Sequence, residues 1–152
     1  FSLTSEYVML AADAGILIIA VLSNIVTAIK IDKSFLFILD LLENEKVYLI
    51  CFDAKKNLKR YTVISEGDEV SSEINMKEVI KNLVDSDSSI AVLAHNHPTS
   101  SAEPSAFDID STRMVCVTLR KIGYALADHV IVGENGAAYS MHLDPRFSSL
   151  FY

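Results

Sequence analysis

The sequence contains little cysteine and little positive charge, and both scarcities exclude classes of protein. Its two cysteines, Cys51 and Cys116, stand among apolar neighbours, a setting that favours buried free thiols over a disulfide or a cysteine-ligated metal. Free thiols in turn favour a reducing, cytoplasmic compartment. Lysine and arginine number 13 against 20 acidic residues, giving a formal net charge of −7. Because nucleic-acid-binding domains usually carry clustered basic residues, we do not expect direct nucleic-acid binding.

The sequence also lacks an apolar run long enough to cross a membrane. A charge-free run extends from Ala14 to Ile29, which is 16 residues, whereas a transmembrane helix needs about 20. No basic region of the kind found in signal peptides precedes this run. We therefore expect residues 6–29 to form a buried helix that packs against a sheet or across a dimer interface, without membrane insertion.

The remaining sequence predicts an α/β architecture, and its 152 residues fit about one domain. Capping residues, apolar runs and turn signals predict helices over residues 32–42, 75–84 and 105–122, and strands over residues 46–53, 60–65, 89–95, 124–132 and 137–141. Helices interleaved with strands in this order indicate a mixed β-sheet flanked by helices.

Two histidines at alternate positions mark the end of the predicted strand 89–95. His95 and His97 would point their rings the same way, because side chains alternate along a strand. After a loop rich in proline and serine, the next helix places Asp108 in its first turn, where its carboxylate would complete a set of three metal ligands. Three protein ligands with an open fourth position are typical of a catalytic zinc rather than a structural one.

Each half of this pattern also has an ordinary structural explanation. Ser105 and Asp108 form the Ser-x-x-Asp arrangement that caps a helix start. Histidines often satisfy a hydrogen-bond partner or lie exposed. The two halves together at this spacing are far more specific than either alone. The two explanations are compatible, since an aspartate fixed at a helix start makes a rigid ligand.

Three segments resemble the JAB/MPN metalloenzyme family, specifically its bacterial RadC-like branch. They are Ala94-His-Asn-His-Pro98, Pro104-Ser-x-x-Asp108 and Ala127-Asp-His-Val-Ile-Val-Gly133. The resemblance covers roughly residues 42–141. It implies a JAB/MPN-like fold, related to that of the cytidine deaminases, for residues 42–152. Residues 1–41 would then form an N-terminal helical extension, through which the chain would form a homo-oligomer.

The resemblance also implies a zinc site and its ligands. Zinc would be bound by His95, His97 and Asp108, with Ser105 beside the bound water or the substrate oxygen. His129, inside the predicted strand 124–132, is expected to pack or to hydrogen-bond, with support of a metal ligand as the alternative.

A glutamate at the start of the first core strand is the remaining family element. Glu45, eight residues before Asp53, matches it best, and Glu43 is the alternative. Without the resemblance, an exposed acid would be the better explanation of Glu45. The implied reaction is hydrolysis of an amide, peptide or isopeptide bond in an unknown protein or peptide substrate. Zinc would acidify a water, Glu45 would take its proton and Ser105 would stabilise the oxyanion.

Other functions and departures from the family pattern belong beside this hypothesis. RadC-like proteins usually continue with Ser-Gly where this chain has Thr99 and Ser100. The loop lacks a residue that reaches positive φ cheaply, so we expect it to take another path. One alternative function is a metal-binding interaction module without turnover. Another is an accessory role in DNA repair, against which the acidic charge counts. A zinc nucleobase deaminase is excluded because the Pro-Cys-x-x-Cys segment is absent.

Overall fold

The computed structural model of the chain describes residues 44–67, 74–134 and 137–151. Their elements in chain order are β1 (Glu45–Phe52), β2 (Leu58–Gly67), α1 (Met76–Asp85), β3 (Ile90–Asn96), α2 (Ala106–Lys121), β4 (Ala125–Val132), β5 (Ala138–Ser140) and a 3-10 turn (Ser148–Phe151). Each element predicted after residue 45 is confirmed, with ends that differ by at most two residues. The helices predicted over residues 6–29 and 32–42 lie outside the described residues, as does Glu43.

The five strands form one mixed sheet in the order β2-β1-β3-β4-β5. Strand β1 is antiparallel to both β2 and β3, and β3 is parallel to β4. Strand β5 is an edge strand and is antiparallel to β4. Helix α2 makes the crossover between the two parallel strands, as such a connection requires. Because β1 and β3 run in opposite directions, the start of β1 lies beside the end of β3, where Val47 pairs with His95.

Alternation along the strands divides the core between the two faces of the sheet. On one face, side chains from α1 and α2 such as Leu83 and Leu119 pack against Leu49 and Leu93. The other face is a buried cluster made of Tyr48, Ile50, Phe52, Val92, Ala94, Val130 and Val132. Both cysteines are buried and free, as predicted. Burial raises the pKa of each thiol to about 11, so both stay protonated at neutral pH.

Helix ends fix the approach of α2 to the sheet. Ser105 caps α2 in a complete capping box with Asp108, which confirms the capping interpretation of that pair. At the other end Gly123 takes a φ of +83°, a conformation that glycine adopts at little cost. Asn75 caps α1 through its side chain.

None of the described helices is both long enough and apolar enough to span a bilayer.

Candidate metal centre

Four side chains that are distant in sequence converge at the junction of β1, β3 and α2. They are Glu45 at the start of β1, His95 and His97 at the end of β3, and Asp108 in the first turn of α2, and one ligand atom from each lies within 4.8 Å of the others. We call these four residues the cavity cluster. The antiparallel pairing of β1 with β3 brings the glutamate to the histidines, and the capping box holds the aspartate over them.

The donor atoms have the chemistry and nearly the spacing of a metal site. With metal–nitrogen bonds of about 2.0–2.1 Å, a tetrahedral site has edges of roughly 3.4 Å. His95 Nε2 lies 3.3 Å from Asp108 Oδ1, and His97 Nε2 lies 3.6 Å from Asp108 Oδ2. The two Nε2 atoms are 2.8 Å apart, so the rings must separate by about half an ångström to hold a cation on such an edge. The four residues therefore fit a divalent metal ion.

A chain of hydrogen bonds from Thr112 through His129 leaves Nε2 of His95 as the ring nitrogen that could hold a metal. The hydroxyl of Thr112 donates to the backbone carbonyl of Asp108 at 2.6 Å and lies 2.6 Å from Nδ1 of His129. Because the hydroxyl has only one proton, His129 must donate from Nδ1. Its Nε2 then accepts from Nδ1 of His95 at 2.8 Å. Burial lowers the pKa of His129 to about 4, so this ring is neutral and can accept. His95 is left with a lone pair on Nε2.

His97 is oriented in the same way by a backbone group. Its Nδ1 lies 2.8 Å from the carbonyl oxygen of Ser101. A carbonyl only accepts, so Nδ1 carries the proton and Nε2 faces the cluster. The neighbouring carboxylate of Asp108 raises the pKa of His97, whereas burial lowers the pKa of His95 well below its usual range. Both histidines thus turn Nε2 toward the cluster.

Asp108 is held ionised at the centre of the cluster. Burial opposes its charge, but the two nearby imidazoles of His97 and His95 and the hydrogen bonds from Ser105 outweigh that effect and lower the pKa of the carboxyl. Its Oδ2 accepts from the backbone N–H of Ser105 at 2.7 Å and from the Ser105 hydroxyl at 2.6 Å. Asp108 is thus both the capping acid and a member of the cluster, so the structural and chemical explanations hold together.

A cavity of about 190 Å³ opens beside the cluster. Glu45, His97 and Asp108 line its polar side together with Ser105. Its apolar wall consists of Val47, Ile74 and Phe107. Convergent polar groups beside an apolar wall are typical of a substrate-binding cleft.

The loop after His97 packs directly against Gly133. A Cβ at position 133 would lie 2.4 Å from the backbone nitrogen of Ala102 and 2.9 Å from the carbonyl oxygen of Ser100, so only glycine fits there. That carbonyl accepts from Glu134 N–H at 2.8 Å. Among the described non-glycine residues, positive φ is confined to Lys56 and Asp87. The loop therefore reaches its path without the glycine usual in RadC-like proteins.

Comparison with known proteins agrees with this geometry. The sequence model of the RadC-like JAB domain family matches residues 25–145.

The chain belongs to the RadC-like JAB domain family.

Relatives in this family are known from diverse bacteria. A UPF0758 protein of Psychrobacter sp. is 35% identical over 94 residues, which cover 61% of this chain and 42% of the relative. UPF0758 proteins of Symbiobacterium thermophilum and Rubrobacter xylanophilus are 33% and 34% identical over 60% and 66% of the chain, covering 39% and 44% of those proteins. The chain thus spans about two fifths of the length of the curated relatives it matches.

Structure adds residues that sequence reasoning did not assign to this RadC-like site. Thr112 lies four residues after Asp108 on α2, a spacing that places both on one helix face and would have pointed to it. Asn96, between the two histidines, bonds to the backbone on both sides of Glu45. The packing of the loop after His97 against Gly133 had no signal in the sequence, because a close approach between distant segments leaves no local pattern.

Proposed function

We propose that this RadC-like chain is a zinc-dependent metallohydrolase that cleaves an amide, peptide or isopeptide bond. The observation that carries the proposal is the cavity cluster, in which two imidazole nitrogens and a carboxylate converge while a second carboxylate stands further out. That second carboxylate belongs to Glu45, whose Oε1 lies 4.0 Å from Nε2 of His95. All four residues match the family pattern that the sequence resembles.

The donor set supports zinc and a catalytic rather than a structural role. Two neutral imidazoles and one aspartate are borderline ligands that zinc accepts readily. The ligands in the proposal are His95, His97 and Asp108. Glu45 is assigned as the base because, of the other three residues in the cluster, it lies farthest from Nε2 of His95, and because it lines the cavity. A four-ligand site would instead be typical of structural zinc.

Zinc held there would supply Lewis acidity, which acidifies water and polarises a carbonyl. Glu45 accepts the proton of the attacking water on its carboxylate and passes it to the leaving nitrogen. Ser105 lines the same cavity and donates a hydrogen bond from its hydroxyl to the carbonyl oxygen as negative charge develops there. Its proton now bonds to Asp108 Oδ2, so this role requires the hydroxyl to rotate away from the carboxylate. The apolar wall at Val47 and Phe107 would receive a substrate side chain.

The test begins with the zinc-loaded chain and a panel of linear peptides and isopeptide-linked conjugates. Glu45→Gln keeps the volume of the side chain and removes the proton acceptor. We expect this variant to retain zinc and to lose turnover by roughly 100-fold to 10,000-fold. Glu78→Gln, which removes the same charge from an exposed position on α1, is the matched control and should keep full activity.

Each alternative function has its own signature in this experiment. Zinc binding without hydrolysis of any conjugate would favour a non-catalytic interaction module. Turnover that Glu45→Gln leaves intact would remove the general base from the proposal, and loss in Glu43→Gln instead would move the role to that residue. A DNA titration at several salt concentrations would reveal a DNA-associated role, since phosphate contacts weaken steeply with salt.

A further inference from the structure

The start of β1 extends beyond its backbone pairing with β3. The antiparallel ladder between these strands ends at the pair of Val47 and His95. On its other side β1 remains paired with β2, where Glu45 lies opposite Gly67 and Lys46 opposite Glu66, after a bulge between Val47 and Tyr48. Glu45 therefore lies two residues beyond the last pair of β1 with β3.

The side chain of Asn96 takes over at this point. Its Oδ1 accepts from the backbone N–H of Lys46 at 2.9 Å, and its Nδ2 donates to the backbone carbonyl of Asn44 at 3.1 Å. The carboxamide thus bonds to the peptide groups on both sides of Glu45, as the backbone of a parallel neighbouring strand would. Asn96 is only 2% exposed, so water does not compete freely for these groups.

We propose that Asn96 is a positioning residue that aims Glu45 at the cluster, an inference that rests on Glu45 being the base of the proposed hydrolase. Fixing the carbonyl before Glu45 and the N–H after it fixes both flanking peptide planes. Those planes set the direction of the Cα–Cβ bond and hence the position of the carboxylate. One residue between the two histidines thereby links the metal ligands of β3 to the base on β1.

We call the two hydrogen bonds of Asn96 to Lys46 and Asn44 the clamp. It can be tested without metal or substrate. Hydrogen exchange of the Lys46 amide, followed by NMR in the full zinc-free chain, should accelerate at least tenfold in Asn96→Ala. Asn96→Asp keeps the acceptor for that amide but replaces the donor to Asn44, so its exchange should be intermediate. The matched control is Asn82→Ala, which removes another buried asparagine that bonds to Glu78 O and Arg60. Unchanged exchange in Asn96→Ala relative to this control would overturn the clamp.

Turnover on a substrate from the conjugate panel then separates positioning from general stability. In the zinc-loaded chain, Asn96→Ala should lower kcat on the order of 100-fold, because small misplacements of a catalytic group cost about that much. Its zinc content should stay at one per chain, its KM should change less than twofold, and Asn82→Ala should keep the kcat of the parent. If Asn96→Ala keeps the parent kcat although Glu45→Gln loses it, Asn96 does not position the base.

A double variant shows whether Asn96 acts through Glu45. Adding Asn96→Ala to Glu45→Gln should cause no further loss, since the carboxylate to be aimed is already gone. Losses that multiply would overturn the proposal and leave the proposed hydrolase standing. If no variant and not even the parent shows turnover, or if Glu45→Gln leaves turnover unchanged, the proposed function is contradicted, and so is the role of Asn96 in positioning a base. The exchange rate of the Lys46 amide still decides whether the hydrogen bonds of Asn96 hold the backbone around Glu45.

Discussion

Two aspartates of this domain are almost equally buried, yet they behave in opposite ways. Asp108 is 6% exposed and Asp128 is fully buried. The pKa of Asp108 is lowered, because the imidazoles of His97 and His95 and the hydrogen bonds from Ser105 overcome burial. Burial raises the pKa of Asp128 to about 6 despite its own hydrogen bonds. Burial alone therefore does not determine whether a carboxylate belongs to a functional site.

The difference lies in the partners and in access. Among the described residues, the donors to Asp128 are neutral: the backbone N–H groups of His129 and His142 and the hydroxyl of Ser140. We call Asp128, Ser140 and the two N–H groups the closed cluster, because both carboxylate oxygens accept from donors within it. Asp108 instead faces two imidazole Nε2 atoms and lines the cavity. A buried carboxylate that lies beside other potential ligand atoms at the wall of a cavity can bind a metal.

The largest expected effect is the loss of metal from the cavity cluster. The purified chain should carry about one zinc, and His95→Ala/His97→Ala should abolish it, because two of three ligands disappear. Asp128→Asn in the closed cluster should leave the zinc content unchanged. Elemental analysis of protein purified without added zinc provides the measurement. Stoichiometric zinc in the double histidine variant would show that the cluster is not the metal site.

Exchanging the two aspartates for asparagine sharpens the comparison. Asp108→Asn should lose most zinc affinity, with a modest drop in melting temperature because the first-turn acid also favours the helix dipole. Asp128→Asn should keep zinc affinity. Metal titration with a competing chelator and thermal melts distinguish the two. Full zinc affinity in Asp108→Asn would reduce Asp108 to a capping residue.

Sequence alone predicted the parts of this site that lie on local patterns. His95 lies at the end of a strand and His97 just after it, while Ser105 and Asp108 start a helix, so spacing and capping rules predicted their places in the fold. The mixed sheet followed from the alternation of helices and strands. For Glu45 the sequence offered a family resemblance and a position at the start of a strand. The structure places that strand start at the end of the sheet where the two histidines lie.

The parts that could not be predicted depend on contacts between distant segments. The bond from Asn96 to Lys46 spans 50 residues, and the bond from His95 to His129 spans 34. Neither partner signals the other by periodicity, charge or turn chemistry. Such contacts are set by strand order and register, which a single sequence constrains only weakly. The strand order places β4 beside β3 and so brings His129 behind His95.

The raised pKa of Asp128 gives a pH dependence that isolates the closed cluster. Between about pH 4 and pH 6 the folded state keeps the Asp128 proton that the unfolded state has released, so the free energy of unfolding falls as pH rises through this window. The fall should reach about 3 kcal/mol. His129, with its pKa lowered to about 4, gives the opposite slope there.

Only a difference between two proteins separates these slopes. In the zinc-free state, the free energy of unfolding of the parent minus that of Asp128→Asn should decrease from pH 4 to pH 6, since both proteins share His129. Denaturant titrations at each pH supply the values. A difference that stays constant across the window would show that Asp128 titrates normally and that its hydrogen bonds fully offset burial.

The smallest effect tests the hydrogen-bond chain that runs from Thr112 through the ring of His129 to His95. Thr112→Val keeps the shape of the side chain and removes the hydroxyl that accepts from Nδ1 of His129. His129 then loses the hydrogen-bond partner that fixes its tautomer. Since His129 in turn fixes the tautomer of His95 that leaves a lone pair on Nε2, zinc affinity should fall roughly 10-fold to 100-fold. Thr118→Val on the same helix is the control and should bind zinc like the parent. Because the buried N–H of His129 loses its acceptor, Thr112→Val should also be less stable by about 1–3 kcal/mol. A stable Thr112→Val protein with parental zinc affinity would show that His95 takes its ligating tautomer without help from α2.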